Sequence, residues 1–537
     1  MNESLWYKDA IFYQVYVRAF RDSNGDGHGD IQGLTQKLDY LQELGIDCIW
    51  LMPLYPSPLR DDGYDIADYY NIAETFGTLE DFKNLLEAAH ARGIRIIMDL
   101  VLNHTSDQHP WFQASRADRA SPYRDYYVWS DTDQKYKDAR IIFLDTEPSN
   151  WSWDEVAGQY YWHRFYASQP DLNYDNPRVQ EEMMKVAGFW LDLGIDGFRA
   201  DAVPYLFERE DTNCENLPET HEYLKKLRAF LDQNYPGRIL LCEANQWPED
   251  VRPYFGDGNE FHMGFHFPIM PRIYMAIKKG NGEDMREILR RTPAIPENCQ
   301  WCIFLRNHDE LTLEMVTEEE RHWMWSNYGP EPRMRLNLGI RRRLTPLLDN
   351  DERKIRLAYS LLFTLPGSPI LYYGDEIGMG DNIWLEDRNG VRTPMQWEPG
   401  ETAGFSTAPL QSLYAPLIAD EIYGPARVNV KFQRADPNSH LNQIRHMITV
   451  RRQHQAFSRG EFTWMDVGNE HVAGFQRTQQ DETIFALHNL SDTGQTISFS
   501  IKKPVKSMID LLGGREFLPD NEALKIELRP YEYLWLT

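Results

Sequence analysis

Cysteine is scarce, with 5 in 537 residues. An odd handful (Cys48, Cys214, Cys242, Cys299, Cys302) does not build a disulfide framework and points to a reducing compartment, so a cytoplasmic location is expected. Cys299 and Cys302 form a CxxC, but it opens the apolar run WCIFL and no second pair follows. A zinc site would lack its remaining ligands, and a redox motif would lack its helix. Long apolar runs are missing too: none approaches the roughly 20 residues of a membrane-spanning helix. The N-terminal MNESLWYKDA has no basic segment followed by an apolar one, so no signal peptide is expected. Basic residues are in deficit, with 56 Lys and Arg against 82 Asp and Glu, a net charge of −26. That balance repels phosphate backbones and anionic lipid, and argues against nucleic-acid or membrane partners.

What the chain does have is apolar and aromatic mass. Hydrophobic residues make up 42% and charged ones 26%, which excludes extensive disorder. The length exceeds one ordinary domain. Sixteen Trp and 29 Tyr supply rings that line cores or stack on flat polar ligands. Through about residue 380, short β-type runs alternate with longer helical patterns. The runs begin at Ile11, Cys48, Ile94, Gly197, Arg238, His262, Trp301 and Ser368. Most are continuously apolar, as parallel strands buried on both faces require. Between them lie amphipathic stretches such as LEDFKNLLEAAHARG, with Leu79, Phe82, Leu85, Leu86 and Ala89 at helical spacing. The expectation is an α/β fold, a (β/α)8 barrel over residues 1–104 and 177–454. Residues 105–176, rich in Trp, Tyr, Asp and Pro, read as an inserted domain after strand three. Residues 311–350 read as a charged helical insertion after strand seven. Short alternating segments over 455–537 (FTWMDV, VAGFQRT, TIFALHNL, TISFSI, YEYLWLT) predict a C-terminal antiparallel β-sandwich.

Barrels of this kind gather their chemistry at the C-terminal ends of the strands. Strand three ends in Asp99, Asn103 and His104; strand four in Arg199 and Asp201; strand five in Glu243 and Asn245; strand seven in His308 and Asp309. Carboxylates from separate strands at one rim cost energy unless paired, which favours a working cluster over coincidence. Arg199 and Asp201 are two residues apart and share a strand face, where the guanidinium would keep Asp201 ionised.

The segments DLVLNH (residues 99–104), GFRADAV (197–203), the Glu243 segment and FLRNHDE (304–310) resemble, in order and strand placement, four signature regions of the α-amylase superfamily. The resemblance implies retaining cleavage of an α-glucosidic bond, with Asp201 as nucleophile, Glu243 as general acid/base and Asp309 stabilising the transition state. It also implies that His104, Arg199 and His308 hold the glucose ring, and that DDGYDIADY (61–69) supplies Tyr64 to stack on it. Asp61 and Arg392 would bind its outer hydroxyls. Glu243 must then be protonated while Asp201 is ionised, so their surroundings must push the two pKa values apart. MGFHFPIMPRIYMA (263–276), GIRRRLTPLLDN (339–350) and YYGDEIGMGDNIWLEDRNGVRTPMQW (372–397) are similar to the trehalose synthases of that superfamily. The implied reaction is intramolecular: maltose is cleaved, the freed glucose turns over on the enzyme, and trehalose forms. Both insertions are expected to close over the site, and Asn245 to orient the turning glucose. Such enzymes take small disaccharides (maltose, trehalose) as their partners, need no organic cofactor and can be homo-oligomers.

The loop DSNGDGHGD places Asp22, Asn24, Asp26, the His28 carbonyl and Asp30 at the rhythm of a calcium loop, though position twelve is Gly33 and not glutamate. The alternative is a tight Asx/Gly turn without metal. A second structural calcium site is implied by the resemblance alone: Asn103, Asp171 and Glu208 with the carbonyls of Tyr205 and Leu206. Arg341, Arg342 and Arg343 read as a solvated or ion-paired helix face. The aromatic cluster of residues 151–166 fits either the inserted domain's core or a pocket wall. A hydrolytic α-glucosidase or a sucrose-isomerising relative would share every catalytic residue and stays open here. A non-catalytic carbohydrate-binding barrel is disfavoured by the complete set of acids.

Overall fold

Eight parallel strands close on one another: β1 (Phe12–Val15), β2 (Cys48–Leu51), β3 (Arg95–Val101), β4 (Gly197–Asp201), β5 (Ile239–Cys242), β6 (Met263–Phe265), β7 (Gln300–Phe304) and β8 (Ser368–Tyr372). They are taken from a computed structural model that describes residues 5–501, 506–519 and 523–537; residues 1–4 of the N-terminal segment read above lie outside it. Each strand pairs with the next in the chain, and β8 returns to β1 with Ile370 opposite Phe12. All eight strands anticipated from the apolar runs are present. Apart from Arg95 their residues are buried, because one face fills the barrel and the other meets the surrounding helices.

Local chemistry sets the boundaries. The helix Leu79–His90 starts at a Thr78/Asp81 capping box. Asn176 caps Pro177–Leu193, which ends at Gly194 with φ +110°. Gly197 opens β4 at φ +150°, where a Cβ would sit 2.2 Å from the Ile239 carbonyl oxygen. Only glycine lets β4 approach β5 this closely, and that approach sets Arg199 and Asp201 beside Glu243.

Residues after β3 form a helix (Pro110–Ala117) and a three-stranded antiparallel sheet (Trp129–Ser130, Trp151–Asp154, Gln159–Trp162). The aromatic cluster turns out to serve both purposes. Trp151 and Trp162 form a small core with Ala139 and Cys214, while Phe165 faces the central pocket.

The segment after β7 is helical only in part. Glu318–Tyr328 is a helix behind a Thr317/Glu320 capping box. The following stretch, read above as helical, instead makes a two-stranded hairpin (Arg335–Leu336 with Gly339–Ile340) and one turn, Leu344–Leu347. Of the two readings of the three consecutive arginines, solvated or ion-paired, the second holds for Arg342 and Arg343, but the segment is not a helix. They follow the hairpin as struts: the buried Arg341 donates to the carbonyls of Arg333, Leu385 and Asp387, the half-buried Arg342 pairs with Asp381, and the fully buried Arg343 pairs with Asp375. Carbonyls and acids from distant segments satisfy them, a pattern that sequence proximity does not reveal.

The C-terminal domain is antiparallel, with a four-stranded sheet (Glu461–Trp464, Val472–Gln479, Glu482–Asn489, Tyr533–Leu536) and the pair Gln495–Ser500/Ala523–Leu528. Val472, Leu487, Ile497, Leu524, Ile526 and Leu534 form its core.

Candidate active site

Arg199 organises the C-terminal rim of the barrel. Its guanidinium, 1% exposed, contacts three carboxylates from three strands: Asp99 at 2.6 Å, Asp201 and Glu243. The register explains the convergence, since Asp99 lies opposite Arg199 and Val101 opposite Asp201. Asp99 is held from behind by the Trp50 indole N–H at 2.9 Å. Glu243 Oε2 accepts the Ala202 backbone N–H at 3.2 Å, and Ala202 adopts φ +50°, an uncommon conformation immediately after Asp201.

The two acids differ in charge state. Burial raises Glu243 to about 8; Arg199 opposes the shift, and Asp201 and Asp309 add to it. Burial raises Asp201 only to about 6, because Arg199 counters it. At neutral pH this arrangement holds Glu243 protonated beside an ionised Asp201. Asp309 moves the other way. Burial works against its charge, but His308, Arg388 and Arg392 hold it below the usual carboxylate range. Burial keeps His308 itself neutral, so the two guanidiniums are the lasting source of that pull. Arg388 Nη1 lies 2.8 Å and Arg392 Nη2 3.1 Å from Asp309 Oδ1.

The pocket at this rim gathers Asp61, Tyr64, His104, Asp201, Glu243, Asn245, His308 and Asp309. Tyr64 stacks on His308 with planes 12° apart. Gln14 Nε2 contacts His308 Nδ1 at 2.7 Å, which leaves Nε2 as the ring's donor, 2.9 Å from the Tyr64 hydroxyl and 3.3 Å from Asp309 Oδ2. Burial lowers His104 to about 3, so it is neutral, and its Nε2 has no hydrogen-bond partner among the described residues. Asn245 donates to Thr312 Oγ1 at 3.2 Å, while its buried Oδ1 has no partner among them. Asp61 accepts from Gln169 at 2.9 Å and pairs with Arg388 at 2.6 Å.

Arg392, expected among the residues that hold substrate, sits outside the pocket wall. It pairs with Asp62 and Asp309 and donates to the His308 carbonyl at 2.9 Å. Arg388, four residues earlier and passed over in the sequence, forms the wall in its place. Two arginines in one irregular loop offer no periodicity from which to choose between them. Also missed were Glu310, raised by burial to about 7, and the apolar wall of Ile142, Phe143 and Phe267 around Phe165. The FLRNHDE motif contained Glu310, so its position beside Asp309 was the available signal.

Arg140, another residue the sequence did not single out, belongs to the inserted domain. It donates to Glu215 and Glu314 at 2.8 Å each and to the Tyr205 hydroxyl at 3.1 Å. Tyr205 and Glu314 line the pocket, so this one side chain ties the inserted domain across it to the segment after β7.

The two expected calcium sites differ. Asn103 Oδ1, Asp171 Oδ2 and Glu208 Oε1 are buried with no hydrogen-bond partner among the described residues. Burial raises Asp171 to about 8 and lifts Glu208 as well, with Asp171 adding to the latter. Three free oxygens and two uncompensated carboxyls suit a hard cation, and Tyr205 and Leu206 precede Glu208 on the same segment. Among the described residues no three His, Cys, Asp or Glu side chains gather as ligands; this set has two carboxylates and an amide. In the Asp22–Asp30 loop the carboxylates are already occupied. Asp22 accepts from the backbone of Asn24, Gly25 and Gly27, Asp26 from His28, and Asp30 from Ser23 and Gly33. Asn24 Oδ1 accepts the Asp26 N–H, and His28 Nδ1 faces Arg18.

Against known families, residues 14–328 and 336–460 match the α-amylase catalytic domain, and residues 462–535 the C-terminal domain of maltogenic amylase. A trehalose synthase of Pimelobacter sp. (strain R48) is 56% identical over 530 residues, spanning 96% of this chain and 92% of the relative. A trehalose synthase/amylase of Mycobacterium tuberculosis is 58% identical over 520 residues, spanning 95% and 86%. Among solved structures, a trehalulose synthase of Pseudomonas mesoacidophila MX-45 superposes with a TM-score of 0.79 at 30% identity, covering 99% of each chain.

Proposed function

This chain belongs to the α-amylase family, and we propose that it interconverts maltose and trehalose through a covalent glucosyl intermediate. The observation that carries the reading is the shared Arg199 guanidinium, which joins an ionised Asp201 to a protonated Glu243 at one rim. Asp201 attacks the anomeric carbon of the bound glucosyl unit while Glu243 gives its proton to the departing glycosidic oxygen. The bond from that carbon to O4 of the second glucose breaks, and a bond to the Asp201 carboxylate forms. Asp309, kept ionised by Arg388, stabilises positive charge building on the ring. Glu243, now a base, takes the proton from the anomeric hydroxyl of the released glucose as that oxygen displaces Asp201. The product is the α-1,1 isomer, and both acids return to their starting states.

Isomerisation outruns hydrolysis only if the released glucose stays and water does not replace it. The Arg140 bridge and the wall of Ile142, Phe143 and Phe165 support such a closed pocket. The unpartnered Asn245 Oδ1 suits a hydroxyl of the turning glucose. Among the described residues no helix is long and apolar enough to cross a membrane. The five cysteines are free and buried, which fits a cytoplasmic setting.

Calcium enters the same proposal as a structural ion. At Asn103, Asp171 and Glu208 it would neutralise buried carboxyls and tie the inserted domain to the barrel. At the Asp22–Asp30 loop the proposal rests on ligand rhythm alone.

The test is to incubate the purified protein separately with maltose and with trehalose, following both sugars and glucose by NMR, beside Asp201→Ala. Interconversion from either side, lost in the variant, supports the reading. Free glucose as the main product from maltose would assign hydrolysis instead.

A further inference from the structure

At the end of the barrel opposite the pocket, a second cavity of about 490 Å3 opens. It lies between the start of β3, the turn Trp6–Asp9 and the helix His440–Gln453 that leads into the C-terminal domain. Three arginines face it: Arg95, Arg451 and Arg452. Arg452 pairs with Asp47 at 3.1 Å. Arg95 lies 4.5 Å above the Trp6 ring. Arg451, 3% exposed, donates to the Phe363 and Gly367 carbonyls, and its buried Nε has no partner. Among the described residues neither Arg95 nor Arg451 makes an ion pair.

Two carboxylates, Asp9 and Asp47, line the cavity as well and are already engaged. Asp47 accepts the Ile11 N–H at 2.9 Å besides its contact with Arg452, and Asp9 holds Arg459 and Ser458 at 2.8 and 2.7 Å. His454, also at the cavity, is taken by Glu482 at 2.6 Å. Outside the cavity's lining, Arg477, 2% exposed, donates to the Thr364 and Gly460 carbonyls at 3.0 Å each, and its Nε has no partner among the described residues. Burying a guanidinium without a counter-charge is costly. Collecting several beside an open cavity, in a chain of net charge −26, is the arrangement of an anion seat.

We propose that this cavity binds a phosphate group, with Arg95, Arg451 and Arg452 as its donors, at the seam where the barrel base meets the C-terminal domain. Arg95 and Arg451, which make no ion pair among the described residues, suit the charge of a phosphate dianion or monoester better than that of a carboxylate. The volume exceeds what one phosphate fills and leaves room for a sugar attached to it. The site lies on the rim away from the chemistry, so its effect is on the docking of the two domains and not on bond cleavage.

The test is calorimetric titration of the full chain, at fixed ionic strength and with maltose present at saturation, using inorganic phosphate in one arm and glucose 6-phosphate in the other. One-to-one saturable binding with a matching rise in melting temperature is expected. Arg95→Met and Arg452→Met, both at partly exposed positions, should each weaken it at least about ten-fold without changing isomerisation in phosphate-free buffer. Stronger binding of the ester assigns a sugar phosphate, and equal binding assigns free phosphate. No saturable heat in either arm, or binding unaltered in both variants, overturns the proposal.

Discussion

Arg140 Nη1 lies 2.8 Å from Glu314 Oε2, and the pair joins the inserted domain to the segment after β7 across the pocket. Cutting it should let water compete with the released glucose. Arg140→Met and Glu314→Gln are expected to raise the share of free glucose formed from maltose by roughly ten-fold, about 1.4 kcal/mol between the two outcomes. NMR product ratios check this, and a ratio equal to that of the parent would remove the bridge from the account of water exclusion.

Glu243→Gln keeps the shape of the side chain but cannot give up a proton. Turnover of maltose should fall by roughly 10² to 10⁴. A substrate with an activated leaving group should restore part of the rate, because the first step then needs no acid. If rescue occurs with Asp201→Ala and not with Glu243→Gln, the two roles have been exchanged.

The pH profile follows from the two carboxyls. Asp201, at about 6, must lose its proton, and Glu243, at about 8, must keep its own. Activity should therefore rise through about pH 6 and decline through about pH 8, and the limbs belong to the coupled pair. A profile flat from pH 5 to 9 in kcat/KM would contradict the assignment.

Asp171 gives a stability prediction with a definite sign. Its folded pKa, about 8, exceeds the ordinary 3.8, so the folded state holds a proton that the unfolded chain has released. Without calcium, the contribution is full below about pH 4 and is lost as pH rises toward 8. A calcium ion bound here would replace that proton. Added calcium should raise the melting temperature more at pH 8 than at pH 5, and Asp171→Asn should flatten the difference. Equal melting curves with and without chelator at pH 8 would exclude a structural ion here.

Asn245→Ala removes the free Oδ1 from the pocket. The ratio of isomer to free glucose should fall while the rate of maltose cleavage changes little, a split that NMR time courses resolve. An unchanged ratio ends that role for Asn245.

The barrel was legible because continuous apolar runs admit few other placements, and strand ends pointed to the rim. Asp201, Glu243 and His308 could be named because each sits at or just past a strand terminus, where local sequence controls position. Arg388 and Arg140 could not. They act from irregular segments far along the chain, and only tertiary contacts bring them to the pocket. The hairpin at Arg335–Ile340 was read as helix because its charged sequence carries no alternation, and packing against Leu311 decided the matter. The helix expected beneath the arginine triplet failed for a related reason. Composition marks charge as outward-facing unless partners are known, and here the partners come from the loop after β8.

Because a single guanidinium serves both working acids, neither can be retuned alone. Shifting the activity optimum toward acid by editing the surroundings of Asp201 would drag Glu243 with it, narrowing or displacing the whole window instead of one flank. Variants adapted to other conditions should therefore carry their changes in residues that lean on Arg199, Trp50 and Asp99 among them, and leave the two carboxyls untouched.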